Sequence, residues 1–158
     1  MRTSPWPAYA AATWLVVFIG WHVPMLFGWN PLPENDPPAN LAVFHAYNAT
    51  LICIAAIGTA VVLATVRPWG RRIPRRLLLA PLVIGCALLV LRGVPGFVEF
   101  LLQVTGVSPT GLMALFEDDP EPPARRVLWA GYAINLFFFV GAVLLVPATL
   151  RFRRSREG

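Results

Sequence analysis

Four long apolar runs constrain the fold of this chain more than any other feature of its sequence. They cover residues 8–28, 41–66, 77–103 and 127–150. At about 1.5 Å per helical residue, each run exceeds the ~30 Å hydrocarbon core of a bilayer. Hydrophobic residues make up 57% of the chain and the mean hydropathy is +0.63, well above a soluble domain. We therefore predict an all-α membrane four-helix bundle, built as a single integral membrane domain over residues 1–158.

The positive charges lie in short blocks beside these runs. All 13 basic residues are arginines, and they concentrate in the loop 67–76 and the tail 151–156. The first and third loops carry six of the eight acidic residues instead. Because basic segments stay on the cytoplasmic side, we predict a multi-pass protein of the plasma membrane with cytoplasmic N- and C-termini. Orientation thus accounts for the net charge of +5, and we expect no nucleic-acid partner.

Two further patterns concern processing and redox chemistry. Only Arg2 precedes the first apolar run and no Ala-x-Ala motif follows it, so we predict an uncleaved first span. Cys53 and Cys86 lie inside apolar runs without a CxxC partner. We therefore expect two small buried side chains there, with neither a disulfide nor a zinc site.

The third run contains charges at membrane depth. It reads LVLRGVPGFVEFLLQ over residues 89–103 and carries Arg92, Glu99 and Gln103. Separations of seven and eleven residues are close to whole helical turns, so these side chains share one face. Ionisable residues inside a membrane are costly and mark a functional site by default. The alternative is that Glu99 is only a structural partner of Arg92 or of Arg125 and Arg126.

A Gly-x-Pro-Gly sequence follows Arg92 directly. Pro95 removes a backbone donor, and Gly93 and Gly96 flank it, so we predict a bend of the third helix at this point. In the alternative interpretation the span ends at Leu91, and the residues after it lie in the membrane interface.

The other three runs carry polar residues at a similar depth. Measured from the middle of each run, all of them fall in the half nearer the acidic loops. Residues three apart share a helix face, which groups the polar residues of the second and fourth runs. We therefore predict one polar pocket in the outer half of the bundle. Its members outside the third run are His22, His45, Asn48, Trp129, Tyr132 and Asn135.

Two of these segments resemble a known family. The first run, WLVVFIGWHVPMLFGW, is rich in aromatic residues and carries His22 near its outer end. The third run contains LVLRGVPGF, with Arg92 followed by Gly96 and Phe97. In these motifs the chain resembles a family of small four-span membrane proteins, common in actinobacteria and known only as a domain of unknown function. The resemblance implies a four-span fold and supplies no activity.

The first functional hypothesis is a pocket that binds or converts a hydrophobic small molecule, such as an isoprenoid, a sterol-like lipid or a quinone. An isomerase or cyclase of this kind needs a carboxylic acid in an apolar pocket. Glu99 is the candidate acid, with His22 and His45 as proton partners. Arg92 on the same face favours the ionised carboxylate and hence a head-group site. The candidate substrate-binding residues are Arg92, Asn48, Gln103, Trp129, Tyr132 and Asn135.

Two alternatives remain open. His22 and His45 could bind a b-type haem, or copper together with Met25, although their depths differ by about 7 Å. The polar residues could also hold together an accessory or scaffold subunit, which has no catalytic role. The sequence contains no nucleotide, HExxH or GxSxG motif. We predict no cofactor or metal, and homo- or hetero-oligomers are compatible with these patterns.

Overall fold

The computed structural model describes residues 4–29, 40–111 and 125–154. These residues form four long helices, and the described ranges contain no strand. Short 3-10 turns follow the first two helices, at Pro24–Phe27 and Pro68–Arg72. The predicted all-α four-helix bundle is confirmed. The helices are α1 (Trp6–His22), α2 (Leu41–Ala64), α3 (Arg75–Val104) and α4 (Arg125–Arg154).

All four helices are long and apolar enough to cross a membrane. Their candidate spans begin and end within four residues of the predicted apolar runs. The outward side chains are apolar as well, since Leu91 is 74% exposed and Leu77 is 65% exposed. Apolar surface of this extent suits lipid rather than water. The chain is a multi-pass integral membrane protein. Its candidate spans are Trp6–Phe27, Leu41–Ala64, Arg75–Val104 and Val127–Arg154.

Local hydrogen bonds account for several helix boundaries and interiors. The Asn40 side-chain oxygen accepts a hydrogen bond from the Val43 N–H at 3.1 Å and caps the start of α2. Gly28 has a φ of 86° and ends the 3-10 turn after α1, a conformation that favours glycine. Inside α2, the Thr59 hydroxyl donates to the Ala55 carbonyl at 2.8 Å. Threonines of this kind satisfy their hydroxyls locally within an apolar helix.

The chain divides into two compact units, and α3 and α4 each contribute a segment to both. The first unit comprises Met1–Gly85 and Leu144–Gly158. In it, α1 packs along α2. A methyl group added at Gly58 would lie 3.5 Å from the Leu15 side chain, which places the two helices in close contact there. The prediction of one domain over residues 1–158 stays a prediction.

The second unit comprises Cys86–Val143, in which the later part of α3 meets the earlier part of α4. Phe97 of α3 stacks on Phe139 of α4, with ring centroids 4.0 Å apart and an interplanar angle of 10°. The helix α3 continues without interruption past Leu91 and through Pro95 to Val104. The bend predicted at Gly93, Pro95 and Gly96 stays a prediction.

Candidate functional site: a buried asparagine between two charges

The second unit joins three of the predicted polar residues in a hydrogen-bonded chain. The Arg92 Nη1 group donates to Asn135 Oδ1 at 3.0 Å. The Asn135 Nδ2 group donates in turn to Glu99 Oε2 across 3.5 Å. Asn135 is only 6% exposed, whereas the two charged residues are more accessible. A buried amide of α4 therefore connects both charged side chains of α3.

The chemistry of the neighbours fixes the orientation of the Asn135 amide. A guanidinium group has only donors, so the amide oxygen must face Arg92. The amide nitrogen is then left for an oxygen of Glu99, which accepts. Among the described residues, Asn135 is the hydrogen-bond partner of both charges. The bridge through Asn135 takes the place of the direct Arg92–Glu99 pair that the sequence left open.

Two glycines of α3 make room for this arrangement. A methyl group at Gly96 would lie 2.6 Å from Arg92 Nη1 and 2.7 Å from Asn135 Oδ1. The hydrogen bond between those atoms therefore passes over the bare glycine backbone. One turn earlier, a methyl group at Gly93 would lie 2.9 Å from the backbone oxygen of Phe138. Small residues at such positions let two membrane helices approach closely.

Arg92 makes a second contact with α4. Its Cζ atom lies 5.2 Å from the centre of the Phe138 ring, within the range of a cation–π interaction. A guanidinium group carries five N–H donors, and Asn135 Oδ1 is the one hydrogen-bond acceptor that the described residues give it. The Arg92 side chain is exposed. Donors therefore remain for an acceptor beyond the described residues.

The turn after α3 closes over the other end of the polar chain. Gly111 is buried, with a φ of 78°, and the Ser108 hydroxyl donates to its carbonyl at 2.8 Å. A methyl group at Gly111 would lie 2.6 Å from Gln103 Nε2 and 2.8 Å from Glu99 Oε1. Gln103 and Glu99 therefore lie together beneath this turn, as their spacing on one helix face predicted.

Aromatic rings extend from this region along both helices of the second unit. Tyr132 meets Phe100 edge-on at 5.4 Å and Trp129 at 5.6 Å between ring centroids. Trp129 is 61% exposed, which suits a side chain at the membrane interface. The roles of Trp129 and Tyr132 in ligand binding stay predictions.

The remaining predicted residues belong to the first unit. His22 Nδ1 lies 2.8 Å from the Phe18 carbonyl oxygen, and the two side-chain rings are 4.1 Å apart. Asn48 is 1% exposed and donates through Nδ2 to the Phe44 carbonyl at 2.8 Å. Its Oδ1 atom and the Nε2 atom of His45 are buried without a hydrogen-bond partner among the described residues. That these residues share one pocket with the polar residues of α3 and α4 stays a prediction.

Four residues that contribute to the second-unit site were not predicted as site residues from the sequence: Phe138, Gly93, Gly96 and Gly111. Phe138 lies one turn after Asn135, a spacing that could have placed its ring on the same face. Gly93 and Gly96 lie three residues apart on α3, and small residues there allow close helix packing, whereas the sequence interpretation used them only to predict a bend. Gly111 carries no comparable signal, because its position depends on how the turn after α3 folds back.

No group of three histidine, cysteine, aspartate or glutamate side chains that could hold a metal ion lies within residues 4–29, 40–111 and 125–154. No protein-family model, curated protein or solved structure matches the chain. Fold and site together define a multi-pass integral membrane protein with an arginine–asparagine–glutamate chain between two of its helices. The resemblance to the four-span actinobacterial family stays a prediction.

Proposed function

We propose that this protein binds a hydrophobic small molecule in the bilayer through a polar head group that docks on Arg92. The observation that carries the proposal is the Arg92–Asn135–Glu99 chain beside an exposed guanidinium group. An arginine at the centre of a membrane helix costs about 2.5–3.5 kcal/mol on insertion. The hydrogen bond to Asn135 and the contact with the Phe138 ring use only part of the binding capacity of the guanidinium group, and an acceptor group of a bound molecule would take up its remaining donors.

The chemistry of a guanidinium group narrows the class of ligand. Its planar donors match oxygen-rich or anionic groups such as phosphates, carboxylates and carbonyls. Among the hydrophobic molecules considered, an isoprenoid phosphate or a quinone offers such acceptors, and a sterol-like lipid offers a hydroxyl. The apolar side chains around the site, including Phe97 and Phe139, suit the hydrocarbon part of such a molecule.

A more specific proposal is that the protein also converts its ligand by isomerase- or cyclase-type proton transfer. It requires Glu99 to donate a proton. The Oε2 atom of Glu99 accepts from Asn135, so the proton to be transferred would have to reside on Oε1. Because Oε1 lies beside Gln103 beneath the turn at Gly111, binding is better supported than catalysis. His22 and His45 remain the predicted proton partners.

Analysis of co-extracted molecules tests the proposal. Protein purified in a mild detergent is extracted with organic solvent, and the extract is analysed by mass spectrometry. We expect a hydrophobic molecule with an acceptor-rich head group in the wild-type extract and a strongly reduced amount with Arg92→Gln. Arg72→Gln is the matched control, because it removes the same charge from an exposed position in the 3-10 turn before α3.

The same extracts separate ligand binding from a scaffold role. Arg92→Lys keeps the charge but loses the planar donors, so we expect a well-folded variant with reduced ligand. Identical extracts from wild type, Arg92→Gln and Arg92→Lys would contradict the binding proposal. If each substitution instead lowered only the thermal stability, the polar residues would belong to a non-catalytic accessory or scaffold subunit.

A further inference from the structure

We propose a second site, separate from Arg92, that binds the phosphate of an anionic phospholipid where α3 begins and α4 ends. A cavity of about 380 Å³ lies at this end of the first unit. It is open on one side and combines guanidinium groups with apolar side chains. Its lining residues are Arg75, Arg76, Leu79, Val83 and Arg153.

One hydrogen bond fixes the wall of this cavity. The Arg75 Nη2 group donates to the backbone carbonyl of Arg153 at 2.9 Å, which ties the first turn of α3 to the last turn of α4. A cation at the C-terminal end of a helix also interacts favourably with the helix dipole. The bond uses the backbone carbonyl of Arg153, and the exposed side chains of Arg153 and Arg76 both line the cavity.

The sequence around the cavity has strongly one-sided charge. The segments 67–76 and 151–156 contain nine arginines and no acidic side chain, and Glu157 is the one acidic residue that follows them. A cluster of arginines next to a span attracts anionic lipid head groups, and guanidinium groups bind phosphate oxygens in pairs. Because arginines outnumber acidic residues here nine to one, a phosphate is an anion that suits this excess of positive charge.

The apolar side of the cavity identifies the phosphate as part of a lipid. Residues 75, 79 and 83 follow at intervals of four and lie along one face of α3. Val83 is about 12 Å beyond Arg75 along the helix axis, towards the middle of the span. The cavity thus passes from charged to apolar in the same order as a phospholipid passes from head group to acyl chain. A soluble phosphate has no apolar part that could contact Leu79 and Val83.

Native mass spectrometry of the detergent-solubilised full chain tests this site. The probes are dioleoyl phosphatidylglycerol and, as the neutral comparison, dioleoyl phosphatidylcholine. The double variant Arg76→Gln/Arg153→Gln removes two cavity charges, and Arg71→Gln/Arg72→Gln removes two charges from the adjacent turn. Since one arginine near an anionic surface contributes about fivefold in affinity, we expect the cavity variant to bind phosphatidylglycerol at least ~10-fold more weakly than the control variant.

Four results would overturn the proposal. An equal loss of phosphatidylglycerol affinity in the two double variants would indicate unspecific electrostatic attraction. Equal binding of phosphatidylglycerol and phosphatidylcholine by the wild type would show that head-group charge does not matter. Displacement of phosphatidylglycerol by inorganic phosphate would indicate a site for a soluble anion. If the cavity double variant does not purify, Arg76→Gln compared with Arg71→Gln gives the same test at two exposed positions. Equal binding of phosphatidylglycerol by these two single variants would also overturn the proposal.

Discussion

Replacement of Gly96 by alanine tests the packing of the polar site. The added methyl group would lie 2.6 Å from Arg92 Nη1, 2.7 Å from Asn135 Oδ1 and 3.0 Å from Asn135 Cγ. These are side-chain atoms, so the helices can stay in place while the hydrogen bond separates. Loss of a hydrogen bond to a charged group destabilises the fold by about 1.5–3 kcal/mol. Replacement of glycine by alanine within a helix stabilises it by about 0.5–1 kcal/mol. We therefore expect a net loss of about 1–2 kcal/mol.

The assay is reversible unfolding in detergent, followed by circular dichroism, with Gly131→Ala as the control. Gly131 lies in α4, and a methyl group there would meet no atom within 4 Å. The control should be as stable as the wild type or more stable. In an Asn135→Ala background the hydrogen bond is already absent, so the Gly96→Ala penalty should vanish. Equal stabilities of Gly96→Ala and Gly131→Ala would refute the reasoning.

Three further predictions extend the account. Gly93→Ala should destabilise the fold by about 1–3 kcal/mol, because the added methyl group meets the backbone of Phe138, which cannot rotate away. A stability equal to that of Gly131→Ala would argue against close helix packing. A C-terminal green fluorescent protein fusion should be fluorescent and a C-terminal alkaline phosphatase fusion inactive, because the arginine blocks predict a cytoplasmic C-terminus. The opposite pattern would contradict the predicted orientation. Purified protein should show no Soret band and no stoichiometric copper, whereas a band that is lost in His22→Ala would favour haem binding.

The architecture could be predicted because each apolar run contains its own evidence. A run such as 41–66 is long enough to span a bilayer whatever its neighbours are, and α2 covers nearly the same residues. The common face of Glu99 and Gln103 was also predictable, since it depends only on helical geometry. Both side chains lie beside Gly111 in the structure.

The contacts between helices could not be predicted in the same way. Arg92 and Asn135 are 43 residues apart, and nothing in the local sequence states which face of α4 meets Gly96. The composition of the Gly-x-Pro-Gly stretch is consistent with a bend and equally with close packing. In the structure both glycines provide space for atoms of α4 or for the Arg92 side chain, within an uninterrupted helix.

Native mass spectrometry of the gently solubilised protein tests the central claim most directly, because it counts the molecules bound to each chain. The account predicts one tightly held hydrophobic molecule per wild-type chain, in addition to phospholipid at the Arg75–Arg153 cavity, that is retained in Arg72→Gln and lost in Arg92→Gln. A wild-type chain that carries no molecule other than phospholipid, or the same additional molecule in Arg92→Gln, would contradict the assignment of Arg92 as the head-group site.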